Sequence, residues 1–169
     1  MNIYLIGMMG SGKSVTGRRL AALLGFTFLD LDEQIQKKTG LTIPEIFSKE
    51  GETFFRDRES EILKDASKGD LRVVATGGGA VLRSSNVELM RVTGKTVFLE
   101  TSPGILWDRV RDKKDRPLLH SGQPQEKLLE IYAYRLPIYK GAADLTVNTD
   151  GKTAAAVAEE IQELIRVHL

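Results

Sequence analysis

Cysteine is missing from all 169 residues. Disulfides, thiolate metal sites and a cysteine nucleophile are thereby excluded. Nor does any apolar run approach the ~20 residues that a membrane-spanning helix needs. The chain starts without a basic segment ahead of its apolar stretch, so no signal peptide is expected. Charge of one sign is lacking too: 24 Lys and Arg against 23 Asp and Glu leave a net charge of +1. That balance creates no global field for nucleic acid or an anionic membrane. The two histidines, His120 and His168, lie far apart in sequence and match no metal-ligand spacing. What remains, 41% hydrophobic and 28% charged, is ordinary for a globular protein. The length suits one domain with a sizeable core.

The first feature present is a strand that runs straight into a phosphate cradle. Residues 2–6 (N-I-Y-L-I) read as a buried strand, and G-M-M-G-S-G-K-S follows over residues 7–14. This is the Walker A spacing, G-x-x-x-x-G-K-S, between an apolar strand and a helix. Glycines such as Gly10 and Gly12 let successive backbone N–H groups, including that of Ser11, point at one anion. The helix starting near Lys13 adds its positive end. Lys13 can reach the β- and γ-phosphates of a nucleoside triphosphate, and Ser14 can hold Mg²⁺. Nucleotide binding is therefore expected, with Mg²⁺ as cofactor. A cysteine-free chain of this kind fits the cytoplasm, where ATP and Mg²⁺ are available.

Strand and helix patterns then alternate. Strands are expected at residues 26–31, 71–75, 96–99 and 145–148. Helices are expected at 15–24, 32–39, from Thr42 through Phe47, at 52–67, 85–92, from Pro103, and at 125–139 and 152–167. Thr42 with Glu45 three residues on forms a capping-box signature. Residues 112–125 are charged and loop-like, with two prolines and a glycine. Five strands separated by helices imply a parallel sheet covered on both faces. Ligands of such sheets bind beyond the carboxyl ends of the strands. Three strand ends should converge there: the phosphate loop, Asp30 with Asp32, and the triple glycine Gly77, Gly78 and Gly79.

Asp30 and Asp32 are read as a pair at a strand end, where residues i and i+2 point the same way. Beside a Mg-triphosphate one carboxylate can hold the metal, and the other can orient an acceptor hydroxyl and take its proton. The simpler alternative is that Asp32 caps the following helix. No ordinary Walker B strand is visible; the third strand ends instead in Ala75-Thr76-Gly77-Gly78-Gly79, a flexible turn or a set of ligand-facing N–H donors. Arg56, Arg116 and Arg135 each stand beside apolar residues, and a guanidinium fork suits carboxylate or phosphate. Glu59, three residues after Arg56 on a helix, can hold that guanidinium in place. Arg58, Arg83 and Arg91 read as solvated surface groups, and Trp107 as core.

Taken together these segments resemble the shikimate kinase family over essentially the whole chain. The carriers are G-M-M-G-S-G-K-S, F-L-D-L-D, I-P-E-I-F…G-E…F-F-R-D-R-E, A-T-G-G-G-A, R-P-L-L and Y-R-L-P-I-Y. The resemblance implies an α/β P-loop fold of the nucleoside-monophosphate-kinase type. Its five-stranded parallel sheet is flanked by helices, with a substrate-binding segment at about 32–61 and a lid at about 112–125. It implies transfer of the γ-phosphoryl group of ATP to shikimate, a small hydroxylated ring carboxylate, in aromatic amino-acid biosynthesis. Asp32 then binds the acceptor hydroxyls and is the candidate base, and Asp30 helps organise Mg²⁺. Arg56 and Arg135 hold the substrate carboxylate with backbone donors from Gly77, Gly78 and Gly79. Arg116 rides on the lid and reaches the ATP phosphates, and Arg109 lies against adenine. Phe47 and Phe55 look like the apolar wall around the ring. The partners expected are ATP and shikimate, with no nucleic acid or membrane, for a monomer.

One position departs from the family pattern. Such loops commonly read G-K-S-T or G-K-T-T, and here Val15 follows Ser14, with Thr16 displaced. The metal ligand survives while a phosphate-contacting hydroxyl at 15 is lost, so altered nucleotide affinity is expected. Two rival functions share the scaffold. A kinase for another hydroxy acid, such as gluconate, would place its acid-binding arginines differently. A nucleotide sensor without catalysis need not keep an acceptor-side base. A GTPase switch is disfavoured, since no N-K-x-D motif occurs.

Overall fold

The computed structural model describes residues 1–113 and 122–168. Its strands are β1 (Asn2–Ile6), β2 (Thr27–Asp30), β3 (Arg72–Ala75), β4 (Gly94–Glu100) and β5 (Leu145–Asn148). They form one parallel sheet in the order β2-β3-β1-β4-β5. β1 lies in the middle and all five of its residues are buried, as a continuous apolar run in a parallel sheet demands. Alternation along it feeds two cores. Ile3 and Leu5 join Leu20, Val97, Val157 and Ile161 on one face, under α1 (Lys13–Leu24) and α8 (Ala154–His168). Tyr4 and Ile6 join Leu63, Met90, Leu106 and Tyr139 on the other. That second face is covered by α4 (Glu52–Ser67), α5 (Ser84–Thr93), α6 (Pro103–Val110) and α7 (Pro124–Ala142).

A third, smaller core of Ile35, Ile46 and Phe55 joins α4 to α2 (Leu31–Thr39) and α3 (Ile43–Lys49). The capping box is formed: Thr42 Oγ1 accepts from Glu45 N at 3.3 Å, and Glu45 Oε2 accepts from Thr42 N at 3.1 Å. Phe47 and Phe55 pack on each other with ring centroids 4.9 Å apart. Trp107 is half-buried against the larger core, as expected.

Several boundaries differ from the sequence reading, and one matters for chemistry. β2 ends at Asp30 and α2 begins at Leu31, so Asp32 is in the first turn of a helix and not on a strand. The helix cap is Asp30, whose Oδ1 accepts from Glu33 N at 3.2 Å. A short carboxylate that satisfies an open helix amide starts the helix at once, and the expected i, i+2 strand pair is lost. A 3₁₀ turn at Ala80–Leu82 was not expected, and α7 runs through Pro137 to Ala142. Most of the expected lid, Arg116 and His120 included, lies outside the described residues. Among the described residues no helix is long and apolar enough to cross a membrane.

Candidate active site

The carboxyl end of the central strand opens into the phosphate loop, and α1 begins at Lys13. Its N-cap is Gly12, at φ 90°, a left-handed conformation that glycine adopts without strain. No side chain among the described residues caps this helix, which leaves its first amides to an anion. Lys13 Nζ lies back along the loop, donating to Gly7 O at 2.7 Å and Met8 O at 2.9 Å. Ser11 is buried inside the loop. Val15 is 58% exposed and lines the cavity in front of it.

Ser14 Oγ donates to Asp30 Oδ2. The buried Asp30 thus holds both the helix cap and the serine of the phosphate loop. An alcohol and a carboxylate in contact at the foot of a phosphate cradle are hard oxygen donors. They suit Mg²⁺, which takes few protein ligands and completes its shell with phosphate oxygens and water. Among the described residues no group of three or more His, Cys, Asp or Glu side chains could hold a metal ion. Asp32 is half-buried in the first turn of α2 and lines the same cavity.

On the far side of Asp32 the charges are buried. Arg56 is 8% exposed, Arg135 4% and Glu59 0%. Arg56 donates to Glu59 Oε1 at 3.0 Å and to Glu52 Oε1 at 3.4 Å. Burial pushes the Glu59 carboxyl up to about 7 against the pull of Arg56, and the nearby Asp32 adds to the rise. The triple glycine is threaded through this cluster. A side-chain carbon on Gly77 would lie 2.2 Å from Glu59 Oε2, and one on Gly79 2.4 Å from Arg56 Nη2. Only residues without a side chain fit so close. Gly78 reaches both ways: its added carbon would stand 3.3 Å from Arg135 Nη1 and 3.4 Å from Met9 N in the phosphate loop.

The cavity is about 520 Å³, and its wall includes residues 9–16, Asp30, Asp32, Thr76, Gly78 and Arg109. Arg56 and Arg135 are not on that wall; they stand behind Gly78 and Gly79. Arg109 is exposed and donates to Gly10 O at 2.9 Å, over the phosphate loop. Arg116 falls outside the described residues. Arg58, expected to be solvated, is half-buried over the Phe54 ring at 4.9 Å and pairs with Glu61 at 2.9 Å. A fourth strand end also contributes. After β5, Thr149 and Lys152 line the cavity, and Asp150 takes the Ser102 hydroxyl and its backbone N–H, the latter at 2.9 Å. These two bonds hold the Asp150 carboxyl below its usual range. The rule that placed the other strand ends at the cleft reaches β5 equally, so that signal was available.

A family model described as shikimate kinase matches residues 9–166. The shikimate kinase of Thiobacillus denitrificans is 45% identical over 92% of this chain and 85% of its own. That of Symbiobacterium thermophilum is 44% identical over 98% and 97%. Among solved structures, shikimate kinase from Acinetobacter baumannii in complex with shikimate superposes with a TM-score of 0.96 at 42% identity, covering 99% of this chain and 93% of that one.

Proposed function

The chain belongs to the shikimate kinase family, and on that premise we propose how its residues divide the work of moving the γ-phosphoryl group of ATP to a hydroxyl of shikimate. The products are ADP and shikimate 3-phosphate. The acceptor oxygen forms a bond to the γ-phosphorus, the bond from γ-phosphorus to the bridging oxygen breaks, and the hydroxyl proton passes to the Asp32 carboxylate. Such transfer depends on alignment and on charge neutralisation. Lys13 supplies a point charge to the β- and γ-phosphates, and the loop amides cradle them. Ser14 and Asp30 would hold Mg²⁺, which neutralises phosphate charge when bound. Arg109 lies against the nucleotide base and Arg116 meets charge that develops during transfer. Arg56 and Arg135 bind the acceptor carboxylate, aided by amides of Gly77, Gly78 and Gly79.

The observation that carries this reading is the position of Gly78. A side-chain carbon there would lie 3.4 Å from Met9 N of the phosphate loop and 3.3 Å from Arg135 Nη1, so a single glycine stands between the phosphate end of the cavity and the arginines behind it. An acceptor whose carboxylate sits at the arginines has its hydroxyls at Asp32. We place the enzyme in the cytoplasm as a monomer, with ATP and shikimate as its partners. ADP release, measured with shikimate, with gluconate and without acceptor, tests the assignment. Release should require shikimate. Faster turnover of gluconate would transfer the arginines to another acid, and equal release without acceptor would make the protein a hydrolase.

A further inference from the structure

Tyr139 has no task in the mechanism above, yet its hydroxyl stands where two parts of acid recognition meet. The ring is buried and stacked on Phe98, with centroids 5.0 Å apart and planes 19° apart. Its hydroxyl donates to the carbonyl of Gly78. The Arg135 guanidinium, one helical turn earlier on α7, stands beside the same glycine: a side-chain carbon on Gly78 would lie 3.3 Å from its Nη1. A phenol has one hydrogen to give, and that of Tyr139 is on Gly78. The positive charge of Arg135 acts on this hydroxyl, against the effect of burial. Gly78 of the loop that follows β3 therefore stands between a hydroxyl and a guanidinium of α7.

We propose that Tyr139 is a positioning residue for acid recognition: its hydroxyl fixes the triple-glycine loop beside the Arg135 guanidinium, so that both meet the acceptor carboxylate together. The inference rests on the assignment of Arg135 to that carboxylate. A phenol suits the task better than an acid would. Burial pushes the Tyr139 hydroxyl up to about 12, so it keeps its hydrogen at any physiological pH. Being neutral, it holds Gly78 beside Arg135 without competing with the substrate for the arginine's charge. The Gly78 carbonyl in turn needs a donor, because a carbonyl left unpaired by burial is costly. Without one, the glycine loop is free to rotate its amides away from the arginines.

Steady-state kinetics of Tyr139→Phe, Arg135→Ala and Phe98→Leu test the proposal. Tyr139→Phe keeps the ring stack and removes the hydroxyl that holds Gly78. The KM for shikimate should rise roughly 5- to 20-fold, as expected for one lost buried hydrogen bond and a displaced partner. The kcat should stay within about threefold and the KM for ATP should not move. KM does not depend on how much of the enzyme is folded, so partial unfolding cannot imitate this result. Phe98→Leu disturbs the same stack but spares the hydroxyl; it should lower Tm and leave the shikimate KM alone. A matching rise in KM for Phe98→Leu would reduce Tyr139 to a packing role and overturn the proposal. An unchanged KM in Tyr139→Phe, beside a large rise in Arg135→Ala, would overturn it while leaving the arginine's assignment intact. If Arg135→Ala also leaves the shikimate KM unchanged, the assignment fails and the proposal falls with it.

Discussion

Asp30 and Asp32 stand two residues apart, and a helix boundary between them gives them separate duties. Asp30 is the buried cap of α2 and the acceptor for Ser14. Asp32 sits within the first turn and faces the cavity. Asp30→Asn removes charge from the surroundings of the metal, so its loss of turnover should shrink as Mg²⁺ is raised. Asp32→Asn cannot take a proton, so its loss should persist at any Mg²⁺ concentration. Turnover of both variants across a Mg²⁺ titration decides; rescue of Asp32→Asn instead would reverse the two roles. Val15 yields a second expectation at this scale. Its side chain is exposed at the mouth of the loop, and Thr has nearly the same shape. Val15→Thr should add a hydroxyl donor to the phosphates and lower the KM for ATP roughly fivefold, about 1 kcal/mol. A KM that does not fall would mean that the loop amides already satisfy those oxygens.

Among the elements, α4 matters most to the proposed acid recognition, since it carries both Arg56 and Glu59. It is steadied by α3 through the small core of Ile46 and Phe55, and α3 depends on its capping box. Thr42→Ala should cost about 1 kcal/mol of stability in a denaturant titration, with little change in kcat. The strands were legible in the sequence because buried parallel strands are short apolar runs between glycines, and β5 was found at its observed limits. The capping box, the phosphate loop and the Arg56–Glu59 pair were legible because each is set by local spacing. Asp32 was expected to open the helix over 32–39 and lies in it, but the shared strand orientation expected of Asp30 and Asp32 failed, because an aspartate at a strand end can extend the strand or start a helix, and the bond from Glu33 N to Asp30 decides which. The joint of Tyr139, Gly78 and Arg135 was not legible as such. It joins α7 to a loop 61 residues earlier, and nothing local marks a tyrosine for that partner. The half-burial of Arg58 over Phe54 was missed because an arginine stem can cover an aromatic face while its charge stays at the surface.

The molecule as a whole keeps an acid where burial disfavours its charge, and its stability should depend on pH accordingly. The folded chain holds the Glu59 proton up to about 7, whereas the ordinary value is 4.5. Between those values the native state binds a proton that the unfolded chain has released, so stability should fall as pH rises through this window. Glu59→Gln should flatten that slope when denaturant titrations at pH 5 and pH 8 are compared. An unaltered slope would assign it to other groups. The central place of β1 bears on how the protein is made. Ile3 pairs with Val73 on one side and Lys95 on the other. A chain emerging from the ribosome has its whole phosphate loop once Ser14 is added, but no neighbouring strand to set that loop against until β3 follows, and the second only with β4. Pairings this distant in sequence slow folding. While translation continues, the apolar Asn2–Ile6 waits without a partner, and it is the segment that a chaperone would have to shield. The grip on nucleotide, written ahead of both strands that brace it, is completed only after they are synthesised.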